Sequence, residues 1–103
     1  MKEELSIKKL QEYIKNIDHK NNSSDKYMLK LMEEVGELAE VVRKNKRMEK
    51  GETIKGTIEE ELSDVLYYIV CIANINDIDL QECLYLKEKI NCEKYKRKNM
   101  FDK

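Results

Sequence analysis

Proline is absent from this 103-residue chain, and glycine occurs only three times. Folds built from many short strands need those residues at their frequent reversals, so an all-β architecture is disfavoured. Long helices need neither. The apolar pattern agrees with helices. Ile7, Leu10, Ile14 and Ile17 recur at intervals of three and four, and so do Met28, Leu31, Val35, Leu38 and Val42. That is the period of a helix with one buried face.

Four helices are predicted. The first runs from Ser6, which can cap it, to Ile17; the polar stretch 18–25 then forms a loop. The second starts at Ser24 or Asp25 and reaches about Lys46. Gly36 lies inside it and costs roughly 1 kcal/mol relative to Ala. A polar segment, 48–56, leads to the third helix, which Thr57 and Glu60 open as a capping box. Ile58, Leu62, Val65, Leu66, Ile69, Val70 and Ala73 give that helix a broad apolar face. After a turn at 74–79, Asp79 and Glu82 open the fourth helix in the same way, with Leu80, Cys83, Leu84 and Ile90 on its apolar side. The basic tail, about 96–103, is expected to fray.

The expected fold is therefore all-α: an antiparallel bundle of about four helices in a single domain spanning 1–103. Mean hydropathy is −0.75, which leaves a thin core for so small a domain. Association of copies would deepen it, so a homodimer or a dimer of dimers is expected. Lys and Arg number 20 against 21 Asp and Glu, a net charge of −1. That balance argues against a nucleic-acid binder, and the run Lys94–Lys98 is too short to reverse it. No apolar run approaches the roughly 18 residues of a membrane span. The opening Met-Lys-Glu-Glu-Leu lacks the apolar block of a secretory leader, so the expected location is cytoplasmic. Cys71, Cys83 and Cys92 show no C-x-x-C spacing and are expected to be free thiols, the first two as small core residues.

Two acidic pairs carry the chemistry. Glu34 and Glu37 are three apart on the second helix; Glu61 and Asp64 are three apart on the third. Such pairs share a helix face. Glu34 and Glu37 fall about 80° and 140° from the centre of their apolar stripe, and Glu61 and Asp64 about 100° and 160° from theirs. If the stripes pack together, the acidic edges meet along one side of the seam. Carboxylates brought together repel unless a cation neutralises them, and hard divalent cations prefer oxygen ligands. The same spacing also suits a solvated helix face, and the pairs alone do not choose between the two.

The residues around those pairs add a resemblance. Lys30–Lys44 (KLMEEVGELAEVVRK) and Glu59–Asn74 (EEELSDVLYYIVCIAN) resemble the MazG-type nucleotide pyrophosphohydrolases. That all-α superfamily also includes dimeric dUTPases and dCTP pyrophosphatases. Its hallmark, EExxE followed by ExxD, is matched by Glu33, Glu34 and Glu37 and then Glu61 and Asp64. The resemblance implies metal ligands at Glu34, Glu37, Glu61 and Asp64, with Mg²⁺ as the usual ion and Mn²⁺ as a substitute. It implies hydrolysis of a nucleoside triphosphate to the monophosphate and pyrophosphate, as house-cleaning of the nucleotide pool. Glu33 would orient the attacking water or support the ligands. It lies about 180° from the stripe, the least favourable angle of the five.

Lys87-x-x-x-Asn91-x-x-Lys94-Tyr95 resembles the family's phosphate-holding K-x-x-x-N-x-x-R-Y segment. Lysine replaces arginine at Lys94, which keeps the charge and loses the bidentate fork. The proline that often follows the tyrosine is replaced by Lys96. By the same resemblance Tyr68 flanks the nucleotide, where periodicity alone reads it as a rim or interface aromatic, and the loop holding His19 and Asn22 lies near the base. Lys30, four residues before Glu34, is placed to pair with it or to meet a phosphate. Two rival functions stand beside this one: phosphoribosyl-ATP pyrophosphohydrolase, from the same superfamily, and a non-catalytic helical interaction module.

Overall fold

A computed structural model describes residues 2–99 and 101. Among these there are four helices and no strand: α1 (Ile7–Ile17), α2 (Ser24–Arg43), α3 (Ile58–Ile75) and α4 (Leu80–Tyr95). The predicted caps account for three of the four starts; at α2, Ser23 makes no side-chain cap bond. Ser6 Oγ accepts the Lys9 N–H at 3.1 Å, Thr57 Oγ1 accepts the Glu60 N–H at 3.2 Å, and Asp79 Oδ1 accepts the Glu82 N–H at 3.0 Å. Each side chain thereby satisfies one of the donors a helix start leaves open. Glu60 reaches back one residue further than a capping box requires, accepting the Gly56 N–H at 2.8 Å.

The helix ends differ from expectation. α2 stops at Arg43, short of the predicted Lys46. The Asn45 N–H bonds the Val42 carbonyl and the Lys46 N–H bonds the Val41 carbonyl, with Asn45 at φ 52°. This is the double reversal that closes a helix, made with asparagine in the left-handed residue's place instead of glycine. α3 ends the same way on Asp77 (φ 54°), with Ile78 bonded to the Ala73 carbonyl. Asn74, placed in a turn by the sequence, is thus inside α3. Lys96 (φ 51°) closes α4. Beyond it, Arg97 pairs with Glu88 and the Phe101 ring stands edge-on to Tyr85 at 5.6 Å. Residues 100, 102 and 103 of the tail expected to fray lie outside the described residues.

α2 packs chiefly on α3, α1 on α3, and α4 on α1. Ile14, Tyr27, Val70 and Cys71 form the buried centre, with Leu10, Tyr67, Ile72 and Leu80 against it. A polar link crosses the same region. Gln11 Nε2 donates to Asn74 Oδ1 at 3.0 Å, Asn74 Nδ2 donates to the Gln11 carbonyl at 3.0 Å, and the Leu80 N–H donates to Gln11 Oε1 at 2.8 Å. It ties the middle of α1 and the start of α4 to the end of α3, satisfying groups that burial would otherwise penalise.

Much of the predicted core faces outward in the single chain. Met28, Val35 and Val42 of α2 are 47%, 48% and 53% exposed, and Leu62, Leu66 and Ile69 of α3 are also open. α4 buries none of its residues, so Cys83 is exposed where a core position was expected. Cys71 is buried as expected, and burial pushes its thiol up to about 11.

Candidate metal centre

The α2–α3 packing brings three of the predicted carboxylates together. One oxygen each from Glu34, Glu61 and Asp64 lies within 4.8 Å of the others. Glu61 is buried, at 7% exposure, while Glu34 and Asp64 are half-buried. The grouping departs from the angular expectation: Asp64, about 160° from its stripe, joins the cluster and Glu37, about 140° from its own, does not. On α2 the half-buried line is Leu31, Glu34, Leu38 and Val41, with Met28, Val35 and Val42 left exposed, so Glu34 lies within the packed face and not beside it. Glu37, one turn beyond Glu34 and exposed, stands at the rim. Its charge nevertheless reaches Glu34, Glu61 and Asp64 and raises the pKa of each.

The group is electrostatically unfavourable without a cation. Burial, followed by the Glu61 and Glu37 carboxylates, raises Glu34 to about 7. Burial is also the first cause of the rise in Glu61 and Asp64, and Glu60 adds to both. Glu34 Oε2 and Glu61 Oε2 are buried with no hydrogen-bond partner. Buried carboxylate oxygens normally find a donor or a metal. An oxygen-only donor set from two rigid helices, with two oxygens left unmatched, fits a hard divalent cation.

The other predicted residues separate into two sets. Lys30 and Tyr68 line a cleft of about 420 Å³ at the start of α2. Glu33 lines it too and points away from the seam, pairing with Lys30 Nζ at 3.1 Å. Lys87, Asn91, Lys94 and Tyr95 stand apart, on the helix that packs against α1. Lys87, Lys94 and Tyr95 are exposed, and Lys94 Nζ lies 5.3 Å from the Tyr95 ring centre. None of the four lines the cleft or belongs to the three-carboxylate group. Within one chain, the structure joins the α2 and α3 motifs and leaves the α4 motif elsewhere.

Sequence reasoning missed Asp18. It follows the last residue of α1, lines the same cleft, and is gripped from two other helices. Tyr27 Oη donates to Asp18 Oδ1 at 2.8 Å and Tyr67 Oη donates to Asp18 Oδ2 at 2.6 Å. The Tyr67 hydroxyl foremost holds the Asp18 carboxyl below its ordinary value.

Four helices with a carboxylate cluster on the seam between the second and third define an all-α scaffold with an acidic site. Residues 22–100 match the family model of the MazG nucleotide pyrophosphohydrolase domain, and the chain belongs to that family. A crystal structure of iMazG from Vibrio DAT 722, in its Ntag form, is 43% identical, covers 90% of this chain and 100% of its own, and superposes with a TM-score of 0.79. The Ctag form is 42% identical over 84% of this chain and 98% of its own, with a TM-score of 0.77. The protein YpjD of Bacillus subtilis (strain 168), described as uncharacterized, is 44% identical over 57 residues, 53% of this chain. The chain spans about half the length of that curated relative. Among the described residues, no helix is long and apolar enough to cross a membrane.

Proposed function

We propose that this chain is a Mg²⁺-dependent nucleoside triphosphate pyrophosphohydrolase of the cytosol that clears surplus or non-canonical nucleotides. The convergence of Glu34, Glu61 and Asp64, with two buried oxygens lacking a donor, carries the reading. These three, with Glu37 at the rim, would hold the ion. Bound there, Mg²⁺ would offset phosphate charge and make a water more acidic. The chain's own residues do the remaining work. Lys30, which lines the cleft, would offer a positive charge to the triphosphate, and Glu33, paired with it, would orient the attacking water or support the ligands. Water adds at the α-phosphorus, the bond to the bridging oxygen breaks, and pyrophosphate leaves. Tyr68 lines the cleft together with Asp18 at the end of α1, so the nucleoside would extend from the carboxylates toward α1.

Association of copies belongs to the same reading. The open apolar stripe of α2 and α3 is the surface a second copy would cover. Lys87, Asn91 and Lys94 would then reach the phosphates from a neighbouring copy's α4. The test is pyrophosphate release from the common NTPs and dNTPs, with ITP and dITP, with and without Mg²⁺, on wild type and Glu61→Gln. Metal-dependent release that falls at least about 100-fold in the variant is expected. No release by folded, metal-loaded wild type would overturn the reading, leaving phosphoribosyl-ATP or a non-catalytic role.

A further inference from the structure

The cleft beside the carboxylates holds a feature that metal binding does not use. Asp18 is a carboxylate at the C-terminal end of α1, where the helix dipole is negative and an anion is disfavoured. The chain nevertheless fixes it from two sides. Tyr27 Oη and Tyr67 Oη each donate to one of its oxygens, and Tyr27 Oη in turn accepts the Lys20 N–H at 3.0 Å. Each carboxylate oxygen has two acceptor positions, so one on each remains after the tyrosines are served. Two held acceptors of one plane, with no competing rotamer, make a recognition element for paired or single N–H donors.

The surroundings suit a nucleobase. The cleft is about 420 Å³, within the range of about 300–1,000 Å³ for small-ligand sites. Leu29 and Tyr68 supply apolar surface to a flat ring, while Lys30 and Glu33 stand at the end nearest Glu34. A nucleotide with its phosphates at the carboxylate cluster would direct its base toward Asp18. We propose that Asp18 is a specificity-determining residue that accepts hydrogen bonds from the amino group of the base. It would thereby select amino-bearing bases over counterparts that present a carbonyl or nothing at that position. The inference rests on the pyrophosphohydrolase reading. Cytosine offers N4–H₂ where uracil offers a carbonyl, which would meet the carboxylate lone pair to lone pair. Guanine offers two adjacent donors where hypoxanthine offers one.

The test compares kcat/KM for dCTP against dUTP and for dGTP against dITP, in Mg²⁺, on wild type, Asp18→Asn and Tyr67→Phe. In the pair the enzyme accepts, wild type should favour the amino member by about 10-fold or more. Asp18→Asn should bring that ratio within about 3-fold of one, and Tyr67→Phe, which keeps the carboxylate and removes one restraint, should lower it partway. A merely structural Asp18 would lower both members alike and leave the ratio unchanged, which would overturn the proposal. A wild-type ratio near one would overturn it as well. Should Asp18→Asn fail to fold, Tyr67→Phe decides. Calorimetric binding of the α,β-imido analogues of dCTP and dUTP separates the two readings. A binding preference without turnover would count against the pyrophosphohydrolase reading alone, and equal or absent binding would overturn the role of Asp18.

Discussion

Replacing Glu34 with glutamine should make the metal-free protein more stable at neutral and alkaline pH while abolishing the response to metal. The Glu34 carboxyl rises from 4.5 to about 7 on folding, chiefly through burial and then through Glu61 and Glu37. Between those values the folded chain binds more protons than the unfolded chain. The contribution of Glu34 is therefore complete below the unfolded value and lost as pH rises through the folded one. Glu61 and Asp64 shift in the same direction and add to the trend. The lowered groups, Asp18, Glu40, Glu59 and Glu88, act at more acidic pH, and Cys71 and the tyrosines act at more alkaline pH. At about 1.36 kcal/mol per unit, the Glu34 shift is worth at most about 3 kcal/mol, reduced to about 2 by a proton shared with Glu61. In a domain of this size that is a change of about 10 °C in Tm. Urea or thermal unfolding followed by circular dichroism, in chelator and at fixed protein concentration, measures it. Wild type should lose stability between about pH 5 and about pH 8, and Mg²⁺ should restore it. Glu34→Gln should show a flatter profile, melt about 10 °C higher at about pH 8 and ignore Mg²⁺. Metal-free wild type that gains stability across that interval, or a variant that melts lower at its upper end, would refute the reasoning.

Asn74→Ala removes both the acceptor for Gln11 Nε2 and the donor to the Gln11 carbonyl. It should cost about 2 kcal/mol in urea unfolding. Thr57→Ala deletes the α3 cap and should cost about 1 kcal/mol in the same assay. Gly36→Ala should instead stabilise by about 0.5–1 kcal/mol, because an added Cβ meets nothing within 4 Å in the chain. A loss of stability there would mean that another copy approaches that helix face closely.

Helix starts were legible because a cap is a local event. Ser6, Thr57 and Asp79 each act within three residues of themselves. The end of α2 was not, because the usual signal is glycine and here Asn45 takes the left-handed conformation. The carboxylates were legible in part. Helical geometry offered Glu34, Glu37, Glu61 and Asp64 as edges that could meet; Glu34, Glu61 and Asp64 do, while Glu37 stays at the rim and Glu33 pairs with Lys30. Asp18 carries no comparable local mark: its partners lie on two other helices, and only tertiary packing brings Tyr27 and Tyr67 to it. The burial of α2 was overestimated for a related reason. A period of three and four identifies an apolar face but not whether its partner belongs to the same chain.

Asn45, Asp77 and Lys96 each hold a backbone conformation that favours glycine, with φ of 52°, 54° and 51°. A side chain there works against the left-handed turn, and most strongly at Lys96, which has no short polar group to bond locally. The two glycines with positive φ, Gly51 and Gly56, are both in the α2–α3 loop. Three helix termini thus retain stability that single substitutions could release, without altering either the carboxylate group or the cleft. For anyone seeking a sturdier version of this hydrolase scaffold, its weakest joints are also its most expendable side chains.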